Sequence, residues 1–217
     1  MVLVFELQHK ADPLVISFDG DFLPTVAGGG VYFDWHNDGF AEYSAWITAS
    51  NQAFLVRDLD GDGKITHAGE MFGTDDIDGF DIIAEYDSNQ DGFIDDSDVI
   101  WGDLLLWFDA NTNGITDDGE LVSLSSQDID RLSLNFTQQN EILLGDTLLA
   151  RTSEAQWWDS ATSSYMQTAT LGSVYYQRDS IDTRYIEDYN VDIRVPLANM
   201  PMYAHKKVPW ESSIYAY

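Results

Sequence analysis

Short apolar runs separated by clusters of Asp, Asn and Gly make up most of the first 140 residues of the chain. Four of these runs are rich in Val, Ile, Tyr and Trp and are bounded by turn-forming residues, a pattern that predicts β-strands. They are PLVISF (13–18), GGVYFDW (29–35), AEYSAWI (41–47) and RLSLNF (131–136).

Two further runs space their apolar residues as short amphipathic helices do. They are GFDIIAEY (79–86) and DVIWGDLLLWF (98–108), and each stands directly before or around an Asp-rich segment. The sequence therefore predicts a paired helix–loop–helix arrangement that contains the loops from Asp87 to Glu120.

From about Glu141 the pattern changes. The stretch QWWDSATSSYMQTATLGSVYYQR (156–178) alternates aromatic and small polar residues, which predicts β-hairpins. Its two aromatic pairs, at 157–158 and 175–176, are interpreted as sheet core or interface in preference to a carbohydrate-stacking platform. The last stretch, 195–217, holds three of the five prolines and is expected to run extended over the surface.

The charge is concentrated in the same front region. The chain has 38 acidic and 10 basic residues, a formal net charge of −28. Twenty-five of the acidic residues lie between Asp12 and Glu120, where the basic residues are Arg57 and Lys64. Because like charges repel, the chain is expected to bind no nucleic acid, and a cation is expected to neutralise the front region.

The chain contains no cysteine, which excludes disulfides and thiolate chemistry and leaves metal ions as the brace for a secreted protein. Its first ten residues, MVLVFELQHK, lack the basic region and cleavage site of a Sec signal peptide. No apolar stretch approaches the roughly 20 residues that a membrane span requires, so no membrane span is predicted.

An internal repeat suits calcium. Four segments share an oxygen-bearing residue in first and fifth place and glycine in sixth: DWHNDG (34–39), DLDGDG (58–63), DSNQDG (87–92) and DANTNG (109–114). Calcium takes six to eight oxygens at about 2.3–2.6 Å, from alternate side chains, a backbone carbonyl in seventh place and a closing acid near the twelfth. One such cluster is often a solvated turn, but the repetition predicts several bound calcium ions, three or more.

The candidate metal ligands follow from those places. The four repeats offer Asp34, His36 and Asp38; Asp58, Asp60, Asp62, Lys64 and Glu70; Asp87, Asn89, Asp91, Phe93 and Asp98; and Asp109, Asn111, Asn113, Ile115 and Glu120. Glu70 comes one residue late, in thirteenth place, and the repeat at Asp34 has no closing acid.

These patterns predict an α+β protein: short strands plus EF-hand-like helix–loop–helix calcium loops, followed by a β-rich aromatic C-terminal part. Three segments are expected. They are a leader (1–12), a calcium-binding module (13–140) and a β-hairpin-rich C-terminal extension (141–217).

The motifs Asp-Pro-Leu at 12–14, Leu-Val-Arg-Asp-Leu at 55–59 and Gly-Glu-Met-Phe-Gly at 69–73 resemble a known family. They are similar to the calcium-dependent self-processing module of RTX-type iron-regulated exoproteins, also found in large RTX adhesins. The resemblance runs from Asp12 to about Phe136. It implies a secreted protein, exported by a type I route, whose module folds on calcium and then breaks the bond between Asp12 and Pro13.

The implied chemistry suits this dipeptide. The Asp12 carboxyl can attack its own main-chain carbonyl and close a cyclic anhydride, an intramolecular step with a large effective concentration. Water then opens the anhydride, or a lysine amine does so and forms an isopeptide bond. Lys10 is a candidate acceptor in cis, and acceptors in trans are equally consistent. The resemblance also implies a first loop near the start of the chain, in which Asp19 and Asp21 are candidate metal ligands that hold the ion or donor positioning this bond.

A calcium-stiffened binding or structural module of an adhesin or toxin stays open as the alternative. The first loop has Ser17 and Phe22 where the family has an acid and a glycine. An enzyme that acts on an external substrate is not expected, because the sequence shows no serine or cysteine nucleophile arrangement.

Overall fold

The computed structural model describes residues 10–24, 30–48, 50–144 and 147–185. Within these residues, twelve strands join in one sheet that curls into a half-barrel. The strands are β1 (Lys10–Ala11), β2 (Leu14–Ser17), β3 (Val31–Phe33), β4 (Phe40–Ser44), β5 (Gln52–Val56), β6 (Phe93–Asp95), β7 (Leu105–Trp107), β8 (Leu121–Ser123), β9 (Arg131–Ser133), β10 (Thr137–Ile142), β11 (Leu148–Asp159) and β12 (Ser164–Tyr185).

The long strand β12 holds the sheet together. The main path runs β6-β9-β11-β12-β2-β5-β7-β8, and β1 and β4 also pair with β12. Outside that path, β3 pairs with β4 and β10 with β11, and the pairs between these strands are antiparallel. One strand therefore contacts residues from both ends of the described chain.

The central strands are apolar on both faces, because a hydrophobic cluster covers each side of the sheet. In β2, Leu14 and Ile16 pack into one cluster and Val15 into the other. In β5, Leu55 and Phe54 divide in the same way. Alternate residues of a strand point to opposite faces, so an unbroken apolar run is the sequence pattern of a strand buried on both sides.

The helical part is small. One α-helix, α1, spans Gly79–Ile83, and the Asp78 side chain caps it by accepting the Phe80 N–H at 2.9 Å. Four 3₁₀ helices cover Ala68–Glu70, Ala84–Tyr86, Val99–Asp103 and Leu124–Gln127 in the described part of the chain.

The predicted α+β class with EF-hand-like helix–loop–helix units is wrong. The described fold is mostly β, with 44% strand against 13% helix. The stretch 98–108 forms a 3₁₀ helix that ends at Asp103, and β7 follows it. Leu105–Trp107 pair with β5 on one side and β8 on the other, so burial between two strands overrides the helical spacing of the apolar residues. The segment after Asp109 is consequently the loop of a β-hairpin.

The strands predicted at 13–18, 29–35, 41–47 and 131–136 are confirmed by β2, β3, β4 and β9. The predicted C-terminal hairpins correspond to the hairpin of β11 and β12. The division at residues 12 and 140 stays a prediction, although β2 and β12 pair within one sheet. Most of the leader and the stretch 195–217 lie outside the described residues. Among described residues, no helix has the length and apolarity needed to span a membrane.

Candidate calcium loops and the Asp12–Pro13 segment

The four repeats have one backbone shape. In each loop the residues in fourth and sixth place have positive φ, and the sixth is always glycine, with φ between 71° and 84°. The fourth-place residues are Asn37, Gly61, Gln90 and Thr112. A left-handed backbone is costly for most side chains, so the glycine shared by all four loops is required by the turn itself. The loops curl in the same way despite their different flanks.

The side-chain hydrogen bonds of the four loops also correspond. Each first-place carboxylate accepts the N–H of the sixth-place glycine, at 2.7–2.9 Å. Each fifth-place side chain accepts the N–H in seventh place, from Phe40, Lys64, Phe93 and Ile115. These bonds turn the oxygens of alternate residues toward the inside of the loop.

The closing acids of three loops are held alike. Glu70, Asp98 and Glu120 each accept one N–H from the second place and one from the ninth place of their loop. Glu70 makes these contacts from thirteenth place, because the 3₁₀ helix Ala68–Glu70 takes up the additional residue. Burial opposes ionisation of Asp98, but hydrogen bonds from Ser88 and Asp95 hold its pKa below the usual value.

The Asp58 loop brings three carboxylates together. Oxygens of Asp58, Asp60 and Glu70 lie within 4.8 Å of one another. The third-place carboxylate of Asp60 accepts the N–H of Asp62 at 3.1 Å. Hard oxygen donors of this kind suit Ca²⁺, and the donor set therefore fits the ion that the repeat predicts.

The Asp109 loop is bonded to the aromatic core. Trp46 and Trp107 are fully buried, and their indole N–H groups donate to Asp109 at 2.7 Å and to Glu120 at 3.3 Å. Burial, opposed by hydrogen bonds from Gly114, Asn113 and Trp46 and assisted by the Glu120 charge, raises the pKa of Asp109. Burial and the neighbouring Glu120 charge therefore disfavour the ionised form of Asp109.

Among the described residues, basic side chains form no ion pair with the first-place or closing carboxylates of the loops. In the part of the chain that the structure describes, the ion pairs of Arg151, Arg178 and His36 go to Glu42, Asp75, Asp78 and Asp81. Among these described pairs, no first-place or closing carboxylate of the four loops takes part. The loops satisfy their oxygens with N–H donors but leave their charge uncompensated.

The Asp34 loop differs from the other three. Its Asp34 carboxylate accepts N–H groups from His36, Asp38 and Gly39. The His36 imidazole, however, lies 3.4 Å from Asp75 and 3.3 Å from Arg178. These contacts direct the imidazole to a charged cluster, so the structure does not bring His36 together with a calcium-ligand set.

The ligands predicted from the sequence omit two carboxylates in ninth place. Asp117 accepts amide N–H groups from Asn111 and Asn113, the third and fifth places of its loop, at 2.7 and 3.0 Å. Asp95 holds the ninth place of the Asp87 loop. The ninth place is a known ligand place in calcium loops, often through water, so spacing alone could have found both residues.

The first loop lies away from the Asp12–Pro13 bond. Asp19 and Asp21 are exposed and follow the end of β2 opposite to Asp12. The Ser17 hydroxyl contacts Asp19 Oδ1 at 2.9 Å and the Asp21 carbonyl at 2.6 Å. The contacts of Asp12 come instead from segments that are distant in sequence.

The Asp12–Pro13 bond is fixed along β12. Ala11 pairs with Tyr176 and Leu14 with Ser173, so the register is unbroken and places Asp12 opposite Tyr175. Pro13 has no N–H, but its carbonyl accepts the Val174 N–H at 3.2 Å. The main chain is therefore held on both sides of this bond.

The Asp12 side chain is buried, with 1% of its surface exposed. Its Oδ2 accepts the Gly79 N–H at 3.0 Å, and its Oδ1 lies within hydrogen-bond distance of the Ser173 hydroxyl, at 2.8 Å. Burial and then the charge of Asp78 raise the pKa of Asp12 well above its usual value, against the hydrogen bonds from Ser173, Tyr175 and Gly79.

Gly73 packs directly on the Asp12 carbonyl. A Cβ at Gly73 would lie 1.5 Å from that carbonyl oxygen, and Gly73 has a φ of +119°. Next to it, the Phe72 carbonyl accepts the Leu14 N–H at 3.1 Å. Only glycine permits this approach, so the 70–79 segment connects the closing acid Glu70 to both the carbonyl and the carboxyl of Asp12.

Two comparisons place the chain among known proteins. A model of the SPM domain family matches residues 14–170. The chain is also similar to the iron-regulated protein FrpA of Neisseria meningitidis serogroup C, with 32% identity over 188 residues. This alignment covers 82% of the chain but 16% of the relative, so the chain spans about a sixth of that protein. The relative fits the iron-regulated RTX exoprotein family.

Replacing Gly73 by Ala tests the packing on the Asp12 carbonyl. Because the new Cβ meets a carbonyl oxygen and the backbone has positive φ, we expect a loss of about 1–3 kcal/mol in the free energy of unfolding. Gly102→Ala is the matched control, since a Cβ there meets nothing within 4 Å, and its effect should stay within about 1 kcal/mol. Urea denaturation of intact, mass-checked protein in one common buffer measures both. Equal effects of the two substitutions would contradict the contact.

Replacing Asp12 by Asn tests the burial of its carboxyl. A raised native pKa means that the stability contributed by the Asp12 proton is fully present at low pH. It is lost as pH rises through the native pKa. Asn cannot ionise, so the variant should gain in unfolding free energy over the wild type as pH increases from 4 to 8. Denaturation of intact, mass-checked protein at constant calcium measures this difference, and a difference that does not change with pH would contradict it.

Proposed function

This chain belongs to the SPM domain family, and on that premise we propose that it is a calcium-dependent self-processing module that breaks its own Asp12–Pro13 bond. One observation carries the proposal. The segment 70–79 contacts the Asp12 carbonyl through Gly73 and the Asp12 carboxyl through Gly79. The first residue of this segment, Glu70, is the closing acid of the proposed calcium loop at Asp58. Loop occupancy and bond geometry are thereby connected through about ten residues.

Calcium binding is supported by three loops with one pattern of hydrogen bonds. Their closing acids Glu70, Asp98 and Glu120 are 2–8% exposed, and the loops lack basic partners within the described residues. An uncompensated buried carboxylate is costly. Bound calcium would supply the missing positive charge, so that binding energy becomes folding energy.

The residues around Asp12 suit attack on the neighbouring carbonyl. Gly79 and Ser173 fix the carboxyl by hydrogen bonds, and Gly73 fixes the carbonyl by contact. In the proposed step, an Asp12 carboxyl oxygen bonds to the Asp12 carbonyl carbon, and the bond to the Pro13 nitrogen breaks. The carboxyl gives up its proton and the nitrogen gains one, so the step balances without an added reactant. A fixed geometry reduces the entropy cost of such a step.

Export would provide the trigger. The relationship to the iron-regulated protein FrpA supports an exported protein. In the cell, at sub-micromolar calcium, the loop carboxylates repel one another. Outside, extracellular calcium modules bind with dissociation constants of about 10⁻⁴–10⁻³ M, and millimolar calcium fills them. Cleavage would therefore be delayed until the chain has left the cell.

The anhydride left on Asp12 would then meet water or an amine. A lysine amine would give an Asp–Lys isopeptide bond, and the acceptor is proposed in cis, at Lys10, or in trans. Lys10 lies in β1, two residues before the new end.

Glu120→Gln tests the calcium loops. Removal of the closing charge should lower the affinity of the Asp109 loop for calcium by about tenfold or more, because this residue supplies the bidentate carboxylate in such loops. Isothermal titration calorimetry resolves the lost site. Glu141→Gln, which removes the same charge from exposed strand β10, is the control and should bind like the wild type. A metal-free protein that is fully folded and takes up no calcium would refute calcium dependence altogether.

Intact mass tests the cleavage. Protein purified in EDTA and supplied with millimolar calcium should yield, over hours, a fragment that begins at Pro13. After hydrolysis, the two product masses should sum to the intact mass plus one water. Asp12→Ala should keep its calcium affinity and remain whole, because it lacks the attacking carboxyl. Cleavage of Asp12→Ala at the same bond would rule out the anhydride route, and a wild type that stays whole would leave a non-catalytic calcium module.

A further inference from the structure

One hydroxyl lies between two buried carboxyl groups beside the Asp12–Pro13 bond. Ser173 Oγ is 2.8 Å from Asp12 Oδ1 and 2.9 Å from Asp78 Oδ2. Ser173 is fully buried, and Asp12 and Asp78 are 1% and 7% exposed. Both distances are hydrogen-bond distances.

A count of protons shows what this arrangement requires. A serine hydroxyl has one hydrogen and donates one bond, while it can accept others. If both carboxyls were ionised, one of the two short oxygen–oxygen contacts would have no hydrogen in it. Such a contact between a lone pair and a buried anion is repulsive. One of the two carboxyls must therefore donate to Ser173, which then donates to the other.

The other contacts of the two carboxyl groups differ. Asp78 Oδ1 accepts the Phe80 N–H at 2.9 Å and lies 3.3 Å from Arg151, and the Tyr175 hydroxyl is 3.4 Å from Asp78 Oδ2. Among the described ion pairs Asp12 has no such cation, and its Oδ2 accepts the Gly79 N–H. The cation Arg151 therefore lies beside Asp78 and not beside Asp12, and this geometry assigns the shared proton to Asp12.

The charged groups around the pair lie on β11, β12, α1 and the segment before α1. Asp81 of α1 pairs with Arg151 of β11 at 2.8 Å, and Tyr175 of β12 contacts Asp78. Before α1, Asp75 pairs with Arg178 of β12 at 2.6 Å. Burial raises the pKa of Tyr175 above its usual value, so Tyr175 acts as a donor.

We propose that Asp12, Ser173 and Asp78 share one proton, and that Ser173 and Asp78 are positioning residues that keep this proton on Asp12 until its carboxyl attacks. The inference rests on the proposed self-cleavage and adds two residues to it. The shared proton is the one that the carboxyl loses as the carbon–oxygen bond forms, and it supplies the proton that the Pro13 nitrogen gains as the carbon–nitrogen bond breaks.

Burial and the charge of Asp78 raise the pKa of Asp12 well above its usual value, which agrees with a carboxyl that keeps its proton. Ser173 lies 161 residues after Asp12 and outside the stretch 14–170 that the SPM family model covers. The site therefore depends on β12 as well as on the loop-bearing region.

The pH profile of cleavage tests the proposal. Rates are measured by intact mass at saturating calcium from about pH 5 to pH 9, with near-UV circular dichroism to verify the fold at each pH. Asp78→Asn keeps an acceptor for the Phe80 N–H but removes the negative charge that holds the shared proton on Asp12. The alkaline limb should move to lower pH by about one unit, which makes the rate near pH 8 about tenfold lower. Asp81→Asn, which also removes a charge next to Arg151, is the matched control and should keep the wild-type profile.

Two serine variants separate the hydroxyl from the shape of the side chain. Ser173→Ala should move the same limb, because it breaks the chain between the carboxyls, whereas Ser173→Thr keeps the hydroxyl and should restore the wild-type profile. Native-like Asp78→Asn and Ser173→Ala proteins with an unchanged profile would overturn the proposal.

The protonation state of the two carboxyl groups can also be measured directly, which tests the proposal even when a variant does not fold. In ¹³C NMR of the full chain, carrying labelled Asp, one carboxyl of the pair should stay protonated well above the usual Asp range. Both carboxyls titrating in the usual range would overturn the proposal, even if a variant fails to fold. A wild type that shows the shared proton but never cleaves would refute the self-processing function and leave the proton sharing intact.

Discussion

Buried carboxylates that lack basic partners among the described residues are the constraint on which the rest of this structure depends. Glu70, Asp98 and Glu120 satisfy their oxygens with backbone N–H groups, and Glu120 also with a buried indole. These bonds fix positions but do not remove charge, and desolvated charge opposes folding. The same N–H groups that orient the oxygens leave a concentration of negative charge, which a divalent ion suits by both charge and oxygen preference.

The sheet converts that local constraint into a geometry at one peptide bond. The segment 70–79 starts at a loop acid, passes through Gly73 on the Asp12 carbonyl, and ends at Gly79 on the Asp12 carboxyl. Strand β12 closes the other side with Ser173 and Tyr175. If Glu70 does not close the Asp58 loop, the contact of Gly73 with the Asp12 carbonyl lacks support. The proposed cleavage would therefore depend on the folding of the front region.

How far the sequence leads depends on the range of each contact. The candidate calcium loops are local, so the spacing of Asp, Asn and Gly predicts their places, and a stricter use of the ninth place would have included Asp95 and Asp117. The prediction of a helix at 98–108 is wrong because the helical spacing of Leu104–Trp107 does not show that β5 and β8 pair with this segment on either side. The partners of Asp12 are 67 and 161 residues away along the chain, so no local pattern could have identified Gly79 or Ser173.

The unbroken register across Asp12 and Pro13 bears on the fate of the two ends after a cut. Ala11 and Leu14 remain paired to the same strand on either side of the severed bond. The two products of the proposed reaction would thus both start out paired with β12, and they would separate only after the backbone hydrogen bonds to that strand break. A few backbone hydrogen bonds would set how long the Asp12 anhydride stays on β12. That time would then determine what fraction of the anhydride reacts with water and what fraction with an incoming amine.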